Sequence, residues 1–122
     1  KIPLHNDGTP IRNWLHAQDT ADAIITIIES NTQNEIYNIA GGFEQANVDT
    51  VRKVVREYMG EKAPNNGEFW MEYIDLSYSR VGQDVRYALN DNKLKSLGWK
   101  SKRLFDYELP KIVEYYKENF IW

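Results

Sequence analysis

The stretch from Asn47 to Gly60 constrains the fold of this chain more than any other. Val48, Val51, Val54, Val55 and Tyr58 recur at three- and four-residue spacing and make one apolar face of a helix. Asn47 stands where an N-cap is expected, and Gly60 where a left-handed C-terminal cap would end the helix. Such a stripe must be buried against other elements, so the chain needs a core. It has 122 residues and no cysteine, which excludes disulfide scaffolds and thiolate zinc sites and leaves apolar packing to hold the fold. One domain is expected over residues 1–122, since a chain of this length buries roughly two-thirds of its unfolded surface but cannot supply two independent cores.

The remaining segments read as short strands alternating with amphipathic helices. Residues 2–5 and 11–15 are extended candidates on either side of Asn6, Asp7, Gly8, Thr9 and Pro10, and form either a hairpin or two separate strands. Residues 17–30 predict a helix with Ala21, Ile24, Ile25 and Ile28 on its apolar face. Asp19 and Asp22 then lie near the positive end of its dipole. A strand is expected over 35–39, ending at the small residues Ala40, Gly41 and Gly42. Residues 61–68 read as a polar loop, and the aromatic stretch 69–74 as another strand. Asn90 or Asp91 can cap a short helix through Lys93, Leu94 and Leu97 that Gly98 stops. In the last helix Leu109, Ile112, Val113 and Tyr116 share a face, and Pro110 fits only in the first turn.

Several classes are disfavoured. A net charge of -3 without a basic cluster argues against a nucleic-acid partner. No apolar run approaches the ~20 residues of a membrane span, and KIPLHNDG lacks the features of a signal peptide. The expectation is a soluble, cytoplasmic protein. Lys1 is not a methionine, and KIPLH reads as a strand entering a fold midway, the pattern of a piece of something longer.

Candidate chemistry is sparse. His5 and His16 are the only histidines and have no evident third ligand, so they read as surface or packing residues. Asp19 and Asp22, three apart on a helix, could be an acid–base pair, but complementarity to the helix dipole explains them more simply. Gly41 and Gly42 follow a predicted strand without the GxGxxG spacing of a dinucleotide fingerprint. Three features remain. Arg12 lies between strand-forming apolar residues, where a long cation either snorkels or meets an anion. Asn47 opens a helix and could hold a phosphate or sugar oxygen. Arg80 and Arg86 flank Gly82 in a segment without helical periodicity, as in a loop around an anion. Together they suggest contacts to a pyrophosphate or nucleotide.

Five segments in order, PLHNDGTPIRNWLHAQDTADAI, EIYNIAGG, NVDTVRKVV, SRVGQDVRYALNDNKLKSLGW and FDYELPKIVEYYKEN, carry a family resemblance. The chain resembles the C-terminal, substrate-binding part of the dTDP-glucose 4,6-dehydratases, within the extended short-chain dehydrogenase/reductase superfamily of nucleotide-sugar enzymes. The resemblance covers essentially the whole chain. It implies an α+β substrate lobe of a Rossmann-type enzyme, with about four helices and a few short strands, some of whose edges pack against an absent N-terminal NAD-binding domain. That implies exposed apolar surface or self-association in the isolated chain.

In the family, NAD oxidises C4 of a dTDP-hexose, water is eliminated across C5 and C6, and the hydride returns to C6. The Gly-rich NAD loop, the Tyr-x-x-x-Lys pair and the acid–base pair belong to the N-terminal part, so no catalytic and no cofactor-binding residue is expected here. Tyr107 and Lys111 have the bare spacing of the Tyr–Lys pair by chance. By matching motifs, Arg12 and Arg80 would hold the diphosphate from two sides and Asn47 a phosphate or ribose oxygen. Pro3 and His5 would border the base, and Gln83 stands where the family has a histidine. Ser79, Val81 and Asn13 also depart from the family pattern. The implied partners are a nucleotide-diphospho-sugar and the Rossmann domain, within a homodimeric parent enzyme. A sister activity (nucleotide-sugar 4-epimerase or UDP-glucuronate decarboxylase) and a stand-alone nucleotide-sugar-binding module are the alternatives.

Overall fold

A computed structural model describes residues 1–64, 66 and 68–120 of the protein. Asn65 and Gly67 of the expected polar loop lie outside the described residues. The elements run β1 (Ile2–Pro3), β2 (Ile11–Asn13), α1 (Ala17–Glu29), β3 (Glu44–Ala46), α2 (Asn47–Met59), β4 (Ile74–Asp75), α3 (Asn92–Lys95) and α4 (Phe105–Asn119), with 3-10 turns at His5–Gly8, Gly60–Lys62 and Phe69–Tyr73. This is the expected α+β class with four helices and short strands.

β1 and β2 do not form a hairpin. β1 pairs in parallel with β4, setting Ile2 opposite Ile74, while β2 pairs antiparallel with β3, setting Arg12 opposite Gln45. The chain separates them through a turn in which Asn6, Asp7 and Gly8 all have positive φ. A Cβ on Gly8 would stand 2.7 Å from the Val48 Cβ, so only glycine lets this turn approach α2 so closely. On its other edge β2 meets the 85–86 segment, where the Ile11 N–H donates to the Val85 carbonyl at 2.7 Å.

α2 contacts α4, the turn at His5–Gly8 and the turn at Phe69–Tyr73. Val55, Phe69, Ile74 and Leu109 are buried. The helix begins one residue off the expected position. Ala46 is its N-cap, Asn47 is its first helical residue, and the Asn47 N–H donates to the Pro10 carbonyl. Residues 69–73 form a 3-10 turn and not a strand, and only Ile74–Asp75 finds a ladder partner. α4 starts at Phe105, so Pro110 sits in its second turn. The proline leaves the Asp106 carbonyl without its i+4 donor, on a solvent-exposed side.

The largest departure concerns α1. The expected apolar face points outward, with Ile24 and Ile25 each 50% and Ile28 71% exposed. What the helix buries is Asp19 and Ala23. Ala23, Leu94 and Trp99 form a cluster against which Leu15, Ile27, Tyr37, Ile39 and Leu97 pack. The small Ala23 side chain lets the Trp99 indole lie close to α1, and the indole N–H donates to the Asp19 backbone carbonyl at 3.1 Å.

The Asp19 carboxylate, 1% exposed, accepts the backbone N–H groups of Lys102 (3.1 Å) and Arg103 (3.0 Å) and pairs with the Arg103 guanidinium at 2.5 Å. Arg103 reaches Asp22 as well, at 3.1 Å. Asp19 lies in the first turn of α1, as the dipole reading expected, and with Asp22 it also locks the helix to Arg103. His16 supplies the true cap of α1, its Nδ1 accepting the Gln18 N–H at 3.0 Å. Residues 35–39, expected as a strand, form none and pair with no strand among the described residues.

Burial pushes the Asp19 pKa up, but the bonds from Arg103 and Lys102 outweigh it, and the net shift is below the ordinary 3.8. A carboxylate with a lowered folded pKa stabilises fully above the unfolded value and loses that contribution as pH falls through the folded one. Asp19→Ala leaves a half-buried guanidinium and two N–H groups without their acceptor, and should cost roughly 3 kcal/mol in urea unfolding at pH 7. The gap between the two proteins should narrow in acid, below the ordinary carboxylate range.

Candidate functional site

β2 lies between β3 and the 85–86 segment, so Arg12 projects from the central strand of three extended segments. Its guanidinium donates to the Ile11 carbonyl at 2.7 Å and the Asp84 carbonyl at 3.1 Å, and lies 4.3 Å from the centroid of the Tyr87 ring. These contacts fix its direction but leave its charge unmatched. Among the described residues neither Arg12 nor Arg80 has a carboxylate partner within ion-pair distance.

Arg80 reaches the same neighbourhood from the exposed loop after β4. The Tyr87 phenol is raised above its ordinary value, first by its hydrogen bond to Asp84 and by that residue's charge, while Arg12 and Arg80 both act to lower it. Both cations act on the Tyr87 phenol through their charge, and Arg12 also touches its ring. Asn6 pins the Arg80 loop from the turn: its Oδ1 accepts the Arg80 N–H at 2.8 Å and its Nδ2 donates to the Arg80 carbonyl at 3.2 Å. The Asn6 N–H also donates to the Tyr78 carbonyl at 3.0 Å.

The remaining expected residues divide. Asn47 stands beside this cluster, next to Ala46, which is paired with Ile11. Its backbone N–H is already taken by Pro10, so only its side chain is left to meet a ligand. Pro3 lies in β1 opposite Asp75, and His5 is exposed with its ring edge against Tyr78 at 5.9 Å. They border the segment that leads into the Arg80 loop. Gln83 is half-buried, and its Oε1 is buried without a hydrogen-bond partner among the described residues. An orphaned acceptor of this kind costs free energy until a donor arrives, as a sugar hydroxyl would.

Arg86, read from sequence as part of the anion loop, is otherwise engaged. Its fork grips Glu44 of β3, with Nε at 2.9 and 3.1 Å from the two carboxylate oxygens and a further contact from Nη2. This bond, together with the Arg86 charge, holds the Glu44 carboxyl below its usual range. Tyr87, Asp84, Asn6 and Glu44 were not legible as site residues. Asn6 and Glu44 act through partners far along the chain, and Tyr87 sits beside a recognised arginine with no signal of its own.

The arginine cluster is an open surface. A large hollow, an open groove of about 1190 Å³ lined by Val55, Tyr58, Leu109 and Tyr116, lies between α2 and α4 and contains none of the expected site residues. The turn at Gly41 and Gly42 leads into β3 rather than a helix, so it does not present the helix N-terminus on which a dinucleotide pyrophosphate rests. Among the described residues no three His, Asp or Glu side chains converge as metal ligands, and no helix is long and apolar enough to cross a membrane.

This architecture is that of solved nucleotide-sugar enzymes. The dTDP-glucose 4,6-dehydratase of Bacillus anthracis in complex with NAD is 32% identical with a TM-score of 0.80, over 100% of this chain and 36% of that one. The dTDP-glucose 4,6-dehydratase of Streptomyces venezuelae with NAD and TYD bound is 28% identical with a TM-score of 0.79, over 96% of this chain and 34% of that one. A probable dTDP-glucose 4,6-dehydratase of Sinorhizobium fredii is 35% identical over 122 residues, 99% of this chain and 34% of the relative. The fold is thus that of part of an epimerase/dehydratase. The chain belongs to the GDP-mannose 4,6 dehydratase family, whose model matches residues 1–111. It spans about a third of the length of the curated relatives it matches.

Asn6 has φ 52°, a conformation glycine adopts without cost, so Asn6→Gly removes only the side-chain pins. Stability should change by less than about 1 kcal/mol. The Arg80 amide should nevertheless show a lower order parameter in 15N relaxation, and an unchanged value would mean that Asn6 does not hold the loop.

Proposed function

We propose that this chain is the nucleotide-sugar-binding domain of an NAD-dependent dTDP-glucose 4,6-dehydratase. The parent enzyme would convert dTDP-glucose to its 4-keto-6-deoxy product. The observation that carries the reading is the pair Arg12 and Arg80: one guanidinium oriented by carbonyls and an aromatic ring, the other on a loop whose backbone Asn6 pins, and neither with a carboxylate within ion-pair distance among the described residues. A diphosphate linker supplies the charge they lack, and guanidinium forks suit phosphate oxygens. Gln83 Oε1 would accept from a ribose or sugar hydroxyl, and the Asn47 side chain would meet a neighbouring oxygen. Pro3 and His5 would border the base.

The Gly41–Gly42 turn of the described residues leads into β3 and not into a helix, so it lacks the helix end on which a dinucleotide pyrophosphate rests. We assign NAD and the reacting acid–base groups to polypeptide outside these residues. The share of the dehydratases that the chain matches, about a third, supports this division. The role of this chain is then to bind and orient the substrate through its diphosphate.

Titrating dTDP into the chain at low ionic strength, followed by NMR chemical shifts, tests the reading. Each charged hydrogen bond is worth ~1.5–3 kcal/mol, so Arg12→Ala with Arg80→Ala should weaken binding by on the order of 100-fold. Shifts should centre on residues 12, 47, 80, 83 and 87. Identical titrations of the two proteins, or no shift in either at millimolar dTDP, would overturn it.

A further inference from the structure

We infer that Glu44 is a positioning residue for the anion grip: through Arg86 it straps the 84–87 segment across β2 to β3, and that segment aims Arg12. The inference rests on the reading above, since it takes the role of Arg12 from it.

The register settles on which side of the strands the strap lies. Asn13 stands opposite Glu44 in the β2–β3 ladder, and Ile11 is bridged to Arg86 on the other edge of β2. Ile11 and Asn13 share one face of β2 and Arg12 takes the other, because side chains alternate along a strand. Glu44 and Arg86 therefore meet diagonally across the face of β2 turned away from Arg12. Their contact is a fork: Nε lies 2.9 and 3.1 Å from the two carboxylate oxygens, and Nη2 also reaches Oε2. A neutral pair on the far side neither touches a diphosphate held by Arg12 nor adds to the charge that attracts one. What it controls is where the 84–87 backbone sits.

Two of the groups that hold the Arg12 guanidinium belong to that segment. They are the Asp84 carbonyl at 3.1 Å and the Tyr87 ring, 4.3 Å away at its centroid. The segment has little else to fix it. Residues 84–90 are all exposed, so no side chain roots it in a core. It joins β2 at an isolated bridge, where the Ile11 N–H donates to the Val85 carbonyl at 2.7 Å, and Asn13 Nδ2 donates to the Tyr87 carbonyl at 3.2 Å. A short exposed stretch with so few ties opens readily. Most surface ion pairs contribute little, but a bidentate guanidinium–carboxylate fork is the exception, since its parallel bonds fix direction as well as distance. The Glu44 side chain is 26% exposed, which limits screening of the pair.

The test combines 15N relaxation with the dTDP titration of the 122-residue chain. Without ligand, Glu44→Gln should lower the order parameters of the Tyr87 amide and the Arg12 Nε–H, while the urea midpoint changes little. dTDP should then bind on the order of 10-fold more weakly, the cost of ordering one long side chain during association. Glu44→Gln makes the chain more positive, which by itself would strengthen anion binding, so the sign separates position from charge. Arg86→Gln changes the charge the other way and should give the same loss, and both together no more than either alone. In an Arg12→Ala background Glu44→Gln should weaken dTDP no further. Unchanged order parameters, unchanged or tighter dTDP binding, additive losses, or a loss that persists without Arg12 would each overturn the inference. If the unaltered chain does not bind dTDP, the functional reading falls, and the ligand-free relaxation still decides whether Glu44 aims Arg12.

Discussion

The polar ties of α1 to the rest of the molecule centre on Asp19. Beside these ties, Ala23 and Ile27 of the helix pack into the cluster with Leu94 and Trp99. The buried Asp19 carboxylate accepts two backbone N–H groups and a guanidinium from residues 102–103, while the Asp19 backbone carbonyl receives the Trp99 indole. A carboxylate in that position is acceptable only because its acceptor capacity is filled and its charge opposed. The arrangement fixes the 99–103 segment, and through it the start of α4. Asp91 serves the same end on a smaller scale, accepting the Gly41 N–H at 3.0 Å and pairing with Lys95 at 2.6 Å.

The site depends on a different device, the glycine-dependent turn before β2. Gly8 lets the turn lie against Val48, the turn presents Asn6, and Asn6 anchors the loop that carries Arg80. β2 meanwhile holds Arg12 between two extended neighbours. Among the described residues neither arginine is paired with a carboxylate, which would neutralise it. The Arg12 cation is held by carbonyls and an aromatic face, which orient it while leaving its charge intact, and Arg80 is placed through its backbone by the Asn6 amide.

Much of this was legible in the sequence, and the failures are instructive. The presence of the four helices follows from periodicity, although Ala46 and not Asn47 is the N-cap of α2 and α4 begins a turn before the place that Pro110 suggests. The inward face of α1 did not, because Ala23 and Asp19 are the kinds of residue that periodicity assigns to solvent, and the isoleucines outrank them. The strand pattern at 35–39 was present, but a strand exists only with a partner, and none lies among the described residues. The stretch 69–73 is aromatic enough for a strand, yet Phe69 is buried by coiling into a 3-10 turn beside α2. At the site, Arg12 and Arg80 followed from linked motifs. The cancellation of Arg86 by Glu44, 42 residues away, required the antiparallel β2–β3 register to become visible.

The Pro10 carbonyl on the first N–H of α2 has a consequence for selectivity. It removes a backbone contribution to anion binding at that helix end and leaves the proposed grip to two side-chain forks on independent segments. Such a grip works by avidity: once one fork holds a phosphoryl group, the second meets its target at a high effective concentration. A ligand with a single phosphoryl group gains nothing from the second fork. On the proposed function, discrimination between a nucleoside diphosphate and a monophosphate then comes from the spacing of two charges rather than from the depth of a pocket.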